Sequence, residues 1–106
     1  MDDVAAIGFA SALSLEAMRD ALDEGISGVA WSMGESHYEG DYVRGRTQDE
    51  VKLRILAEAD GFCIEVYFPV DDDGRSRLAD PRKHEVMRWL EARVLPVLQA
   101  RDSRPA

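Results

Sequence analysis

The sequence predicts an α+β domain of order β-α-β-β-β-α: a four-stranded, mainly antiparallel sheet with both helices packed on one face. Three observations carry this. Residues 49–70 alternate in hydrophobicity on both sides of Asp60-Gly61. Leu15, Met18 and Leu22 recur at helical spacing, as do Val86, Leu90, Val94 and Leu98. The polar alternate positions of residues 51–70 leave one sheet face to water, so the helices belong on the other.

Val4–Ala10 reads as the first strand, with Ile7 and Phe9 sharing a face. Ser14 then offers an N-cap, Glu16 suits the positive helix end, and Gly25 offers a stop, which gives a helix over 15–24. Its acids Asp20, Asp23 and Glu24 oppose the helix dipole near the C-terminal end. Ser27–Gly34 alternates again, with Val29, Trp31 and Met33 on one face.

Asp49–Val70 is the clearest segment. Val51, Leu53, Ile55, Ala57 and Ala59 alternate with mostly polar residues; so do Phe62, Ile64, Val66, Phe68 and Val70. Asp60-Gly61 has the residue chemistry of a two-residue type I′ turn. That turn sets 59 against 62, 57 against 64, 55 against 66, 53 against 68 and 51 against 70. It places Cys63 on the solvated face beside Glu58, and Arg54 beside Tyr67.

Between these segments, residues 35–48 are polar, aromatic and too long for an unstructured connection in a small domain. A long second hairpin absorbs them. With Glu39-Gly40-Asp41 as the loop, 38 faces 42, 37 faces 43, 33 faces 47 and 29 faces 51, and the distal half projects as a ribbon. An ordered surface loop is the alternative. Asp71–Ala79 is a polar loop. Asp80 as N-cap and Pro81 as the first helical residue open the last helix. Its buried stripe is Val86, Met87, Leu90, Val94 and Leu98, with Trp89 at the margin, and Pro96 ends or kinks it near Leu95. The expected layout is one domain over 1–100 and a disordered tail over 101–106. Strand order stays open: the first strand joins the second by a right-handed parallel crossover, or lies elsewhere.

Composition narrows the functional classes. The net charge of −8 argues against nucleic acid as the main partner. Nine carboxylates and a single base, Arg19, fall in residues 1–42, whereas residues 43–106 are balanced. No basic, apolar leader opens the chain, no apolar run approaches the roughly 18 residues of a membrane span, and the single cysteine allows no internal disulfide. These features make the cytoplasm the expected compartment and give no reason to expect a membrane partner.

No catalytic constellation emerges, and no cofactor is implied. Glu35, His37 and Glu39 share a strand face, but one histidine among carboxylates on an exposed ribbon is ordinarily solvated, as is His84 early in a helix. A carboxylate beside Cys63 raises a thiol pKa, the wrong direction for a nucleophile. Asp71-Asp72-Asp73 lacks the remaining calcium ligands, with Arg75 where an oxygen is needed. What remains is a contact surface. Tyr, Trp and Arg are enriched at interface hot spots, and the ribbon offers Glu35, His37, Tyr38, Glu39, Asp41, Tyr42 and Arg44, with Trp31 and Arg46 beside it.

The leading expectation is therefore a non-enzymatic, acidic protein-binding domain, in one form an immunity- or antitoxin-like inhibitor of a basic partner. The alternative is a small-molecule-binding domain or small enzyme with a pocket near residues 35–46. A homodimer across the wet face or an edge strand is a third reading.

Overall fold

The computed structural model describes residues 3–38 and 40–99. The chain runs β1 (Val4–Phe9), α1 (Leu15–Gly25), β2 (Val29–Ser36), β3 (Gly40–Thr47), β4 (Lys52–Glu58), β5 (Gly61–Tyr67) and α2 (Asp80–Trp89). A π-helical turn (Leu90–Val94) and α3 (Leu95–Leu98) complete it. The fold is α+β, as expected, but the sheet has five strands rather than four, in the order β1-β5-β4-β3-β2. Every neighbouring pair is antiparallel, and β1 pairs with β5 rather than with β2. The helices share one face of the sheet, and the core lies between: Met18 and Leu22 from α1, Val86, Leu90, Val94 and Leu98 from the C-terminal helices, and Val43, Leu53, Ile55, Ile64 and Val66 from the sheet.

The additional strand is β3. The expected ribbon exists, but its strand does not run on into β4; a turn at Gln48-Asp49-Glu50 separates them. The Val51 N–H donates to Thr47 Oγ1 at 3.1 Å, the Thr47 hydroxyl donates to Asp49 at 2.6 Å, and Glu50 takes a φ of 66°. Val29 therefore faces Thr47, not Val51, and the other end of the hairpin closes with Ser36 against Gly40, leaving His37 and Tyr38 in the turn.

Glycine weakens a strand unless a neighbour fills the space it leaves. Here two aromatic rings fill it. Trp31 lies over Gly45, its cross-strand partner, on the helix-covered face; Tyr42 lies over Gly34, its partner, on the open face. A Cβ at Gly45 would sit 2.6 Å from Trp31 Cζ3, and one at Gly34 2.5 Å from Tyr42 Cζ. The glycines thus give β2 and β3 their close fit.

The β4–β5 hairpin also differs from expectation. Glu58 pairs with Gly61 and Ala57 with Phe62, so the turn is Ala59-Asp60. Gly61 opens β5, where a Cβ would meet the Phe9 carbonyl oxygen at 2.8 Å. It is needed for the close approach of β1 rather than for the turn. The pairing slides by two residues, which preserves the core face. Past Tyr67 the strand stops; Pro69 has no N–H to donate, and Val70 is exposed, in an isolated bridge to Ser76.

Ser14 caps α1 by accepting from the Ala17 N–H at 3.1 Å. Gly25 is the last helical residue and Ile26 the C-cap, whose N–H donates to Leu22 O; the positive φ after this helix falls at Gly28. At α2 the N-cap is Ala79, so Asp80 lies inside the first turn with Pro81 after it. Pro96 does not end the helical path. The wide turn before it lets the Leu95 N–H reach Leu90 O, and the Gln99 N–H then returns to Leu95 O. The ladder has shifted before it reaches the residue that cannot donate. One buried residue departs from the hydrophobic stripe: Lys83 is 2% exposed, with Nζ 2.8 Å from Asp3 Oδ1 and 5.7 Å from the centre of the Phe68 ring. The tail expected over 101–106 lies outside the described residues.

The glycine–aromatic pairing yields a stability prediction. Gly45→Ala should destabilise the domain by about 1–3 kcal/mol, the usual range for overpacking. Urea unfolding should show a markedly smaller loss when the same change is made in a Trp31→Leu background. Equal losses in both backgrounds would mean that the indole is not what excludes a side chain at position 45.

Candidate functional site

The six described residues of the seven expected at a contact surface do not form one patch. Strand parity divides them. Glu35 and Asp41 are cross-strand partners on the helix side, beyond the apolar core, where they line a hollow with Met33 and with Glu16 of α1. His37 and Tyr38 are exposed in the turn, Tyr38 almost completely at 99%. The Tyr38 N–H donates to Ser36 Oγ at 3.2 Å, which orders the turn without covering the ring. Glu39 lies outside the described residues. Tyr42 and Arg44 point to the open face; Tyr42 meets Gly34, not Tyr38 as the expected register had it. Trp31 is a core residue, its indole N–H 3.4 Å from Ile26 O, and is buried away from any contact surface.

The open face has its own chemistry. Register brings Arg44 opposite Arg54 and Arg46 opposite Lys52. Tyr42 and Tyr67 lie on either side of Arg54, whose guanidinium is 5.3 Å and 5.6 Å from their ring centres. Arg54 is held further by Glu65, at 2.7 Å, which also accepts from the Tyr67 hydroxyl at 3.0 Å. Beside these long side chains, β2 presents only Ala30, Ser32, Gly34 and Ser36. The step in height opens a cavity of about 760 Å³, floored by Ala30 and Ser32 and walled by Tyr42, Arg44, Arg46, Lys52, Arg54 and Tyr67. The sequence reading missed Lys52, Arg54 and Tyr67 as members of a site. Their parity was visible as the wet face of β4 and β5, but their neighbours depend on where β3 lies.

Cys63 is not solvated as expected. It is buried between Leu56 of β4 and Gly8 of β1, its cross-strand neighbours. Burial, and then the nearby Glu58 carboxylate, push its thiol pKa up, so it is suited to neither nucleophilic nor ligand chemistry. Among the described residues no three His, Cys, Asp or Glu side chains come together as metal ligands. The Asp71 carboxylate accepts from the Asp73 and Arg75 N–H groups, which is turn chemistry. No helix among them is long and apolar enough to cross a membrane.

A second cavity, of about 450 Å³, lies between the β3–β4 turn and α2. Its charged groups are matched internally: Arg82 donates to Asp49 at 2.8 Å and to Glu85 at 3.0 Å. This arrangement docks the helix on the turn. Comparison with protein-family models, curated proteins and solved structures finds no match to this chain.

Two carboxylates link stability to pH. The Lys83 ammonium holds Asp3 below its usual 3.8, and Arg82, then Thr47, hold Asp49 below the same value. A depressed carboxylate pKa contributes stability that is complete above the unfolded value and is lost as pH falls through the folded one. The urea midpoint should therefore hold to about pH 5 and decline between there and about pH 2. Asp49→Asn should lower the midpoint at neutral pH and shrink the decline; an unchanged decline would remove Asp49 from this role.

Proposed function

We propose that the chain is a non-enzymatic binding domain that meets a basic protein through the acidic end of the β2–β3 hairpin. The observation that carries this reading is the exposure of Tyr38 at the turn, beyond paired Glu35 and Asp41 and with Glu16 of α1 beside them. A wholly exposed tyrosine contributes nothing to the core, and an aromatic beside carboxylates that outnumber the Arg44 cation at their hollow suits a partner that supplies both an apolar pocket and cations. The acids of α1 extend the same sign: Asp23 and Glu24 are exposed with no base in the last turn, while Asp20 is exposed and paired with Arg19 at 2.8 Å. An inhibitor of immunity or antitoxin type, covering the basic site of its target, is one concrete form of such a domain.

Tyr38 carries the test, because Tyr42 is bound up with Gly34 and Arg54 and its loss would disturb the sheet. With the full chain as bait, a basic protein should be retained at about 0.05 M salt and released at about 0.5 M. Tyr38→Ala and a combined Glu35→Lys, Asp41→Lys variant should each weaken retention at least about tenfold, the effect of losing about 1.4 kcal/mol at a hot spot. A basic partner held equally well by the charge-reversed chain would contradict this reading.

A further inference from the structure

We propose that the cavity on the open sheet face binds a small molecule through a dianionic phosphate group, with Arg44 and Lys52 as its principal cationic contacts. The first support is electrostatic. Like charges directly opposite each other across an antiparallel pair are destabilising. Here two such pairs lie side by side, Arg44 against Arg54 and Arg46 against Lys52. They occur in a chain whose net charge is −8, where carboxylates are plentiful and cations scarce. Carboxylates offset Arg54 and Arg46; the charges of Arg44 and Lys52 beside them are left to oppose the stability of the free sheet, and an anion bound between them removes that opposition.

The second support is the distribution of partners. Glu65 pairs with Arg54, and Glu50 pairs with Arg46 at 3.1 Å. Arg44 donates to the neutral Ser32 hydroxyl at 2.8 Å, and among the described residues neither Arg44 nor Lys52 has a carboxylate within ion-pair distance. These two occupy diagonal positions on β3 and β4, which lie about 7–8 Å apart in an antiparallel sheet. One phosphate placed between them can receive both long side chains. Two unmatched positive charges match a dianion better than a single carboxylate.

The third support is shape. The volume of about 760 Å³ lies within the range of small-molecule sites. The floor of Ala30 and Ser32 leaves room for the body of a ligand beside its phosphate. A long polyanion would have to lie along a chain whose net charge is −8. A phosphorylated small molecule is therefore favoured over a nucleic acid.

The test is an amide NMR titration of the full chain with inorganic phosphate, adenosine monophosphate, glucose 6-phosphate and a single-stranded oligonucleotide, each matched by sodium chloride of equal ionic strength. At up to about 10 mM, above the dissociation constant of about 1 mM of a weak site, a phosphate probe should move the Ala30, Ser32, Arg44 and Lys52 signals where chloride does not. Tighter binding by an ester than by the inorganic ion would place part of the recognition on the organic group. Equal binding would place it on the phosphate alone; both outcomes support the site. Arg44→Gln and Lys52→Gln should each weaken binding at least about tenfold, as loss of a charged hydrogen bond does. Each should also raise the urea midpoint of the free protein, which a merely structural cation would not do. The proposal is overturned by shifts that chloride reproduces, by no localised shift with any phosphate probe, by tighter binding of the oligonucleotide, or by glutamine variants that bind as wild type or lower the midpoint. None of these readouts involves Tyr38 or a basic protein, so this site and the hairpin end stand or fall separately.

Discussion

The arrangement of this domain depends on the contact between β2 and β3, where Trp31 fills the space over Gly45 on one face and Tyr42 the space over Gly34 on the other. The two contacts set one register from both sides of the sheet. A one-residue slip would put each ring against a side chain instead of a glycine and would turn Val43 out of the core. With the register set, β3 has a second edge to offer, and β4 and β5 follow with their apolar residues on the helix side. The hairpin then runs past the core far enough for its end to be polar.

From that register come two surfaces of opposite sign. Odd positions of β2 and β3 run from the core into Glu35 and Asp41, next to Glu16. Even positions of β3 and β4 gather Arg44, Arg46, Lys52 and Arg54 on the face that no helix among the described residues covers. Three of the acids that weight residues 1–42, Glu16, Glu35 and Asp41, thus lie on the side of the sheet opposite these cations. The separation is close: Arg44, on the cationic face, also borders the hollow that contains Glu35 and Asp41.

Much of the scaffold was legible. Period-two alternation identified Val51, Leu53, Ile55, Ile64, Val66 and Phe68 as core, though Ala57, Ala59 and Val70 in the same phase are exposed beyond the helices, and helical spacing identified Met18, Leu22, Val86, Leu90, Val94 and Leu98. Both rest on burial, which acts on every residue of an element. The features that were not legible depend on single contacts between distant parts of the chain. Asp60-Gly61 has the chemistry of a turn, yet Gly61 serves the approach of Phe9, about fifty residues earlier in the sequence. The glycines of β3 argue against a strand until Trp31 is placed over Gly45. Lys83 reads as a surface residue of an amphipathic helix because its partner, Asp3, lies at the other end of the chain. The cationic site was missed for a related reason. Its members are separated in sequence, and only the turn at Gln48–Glu50, held by Thr47 and Asp49, brings β3 beside β4 in the register that assembles them.

The register of β2 against β3 is therefore the central claim, and proton NMR of the free protein tests it most directly. Rings stacked over glycines should shift the Gly34 and Gly45 α-protons well upfield and give cross-strand contacts from Tyr42 to Gly34 and from Trp31 to Gly45. Glycine α-protons at unstructured positions, or contacts linking Val29 to Val51 instead of Thr47, would contradict the account and with it both surfaces.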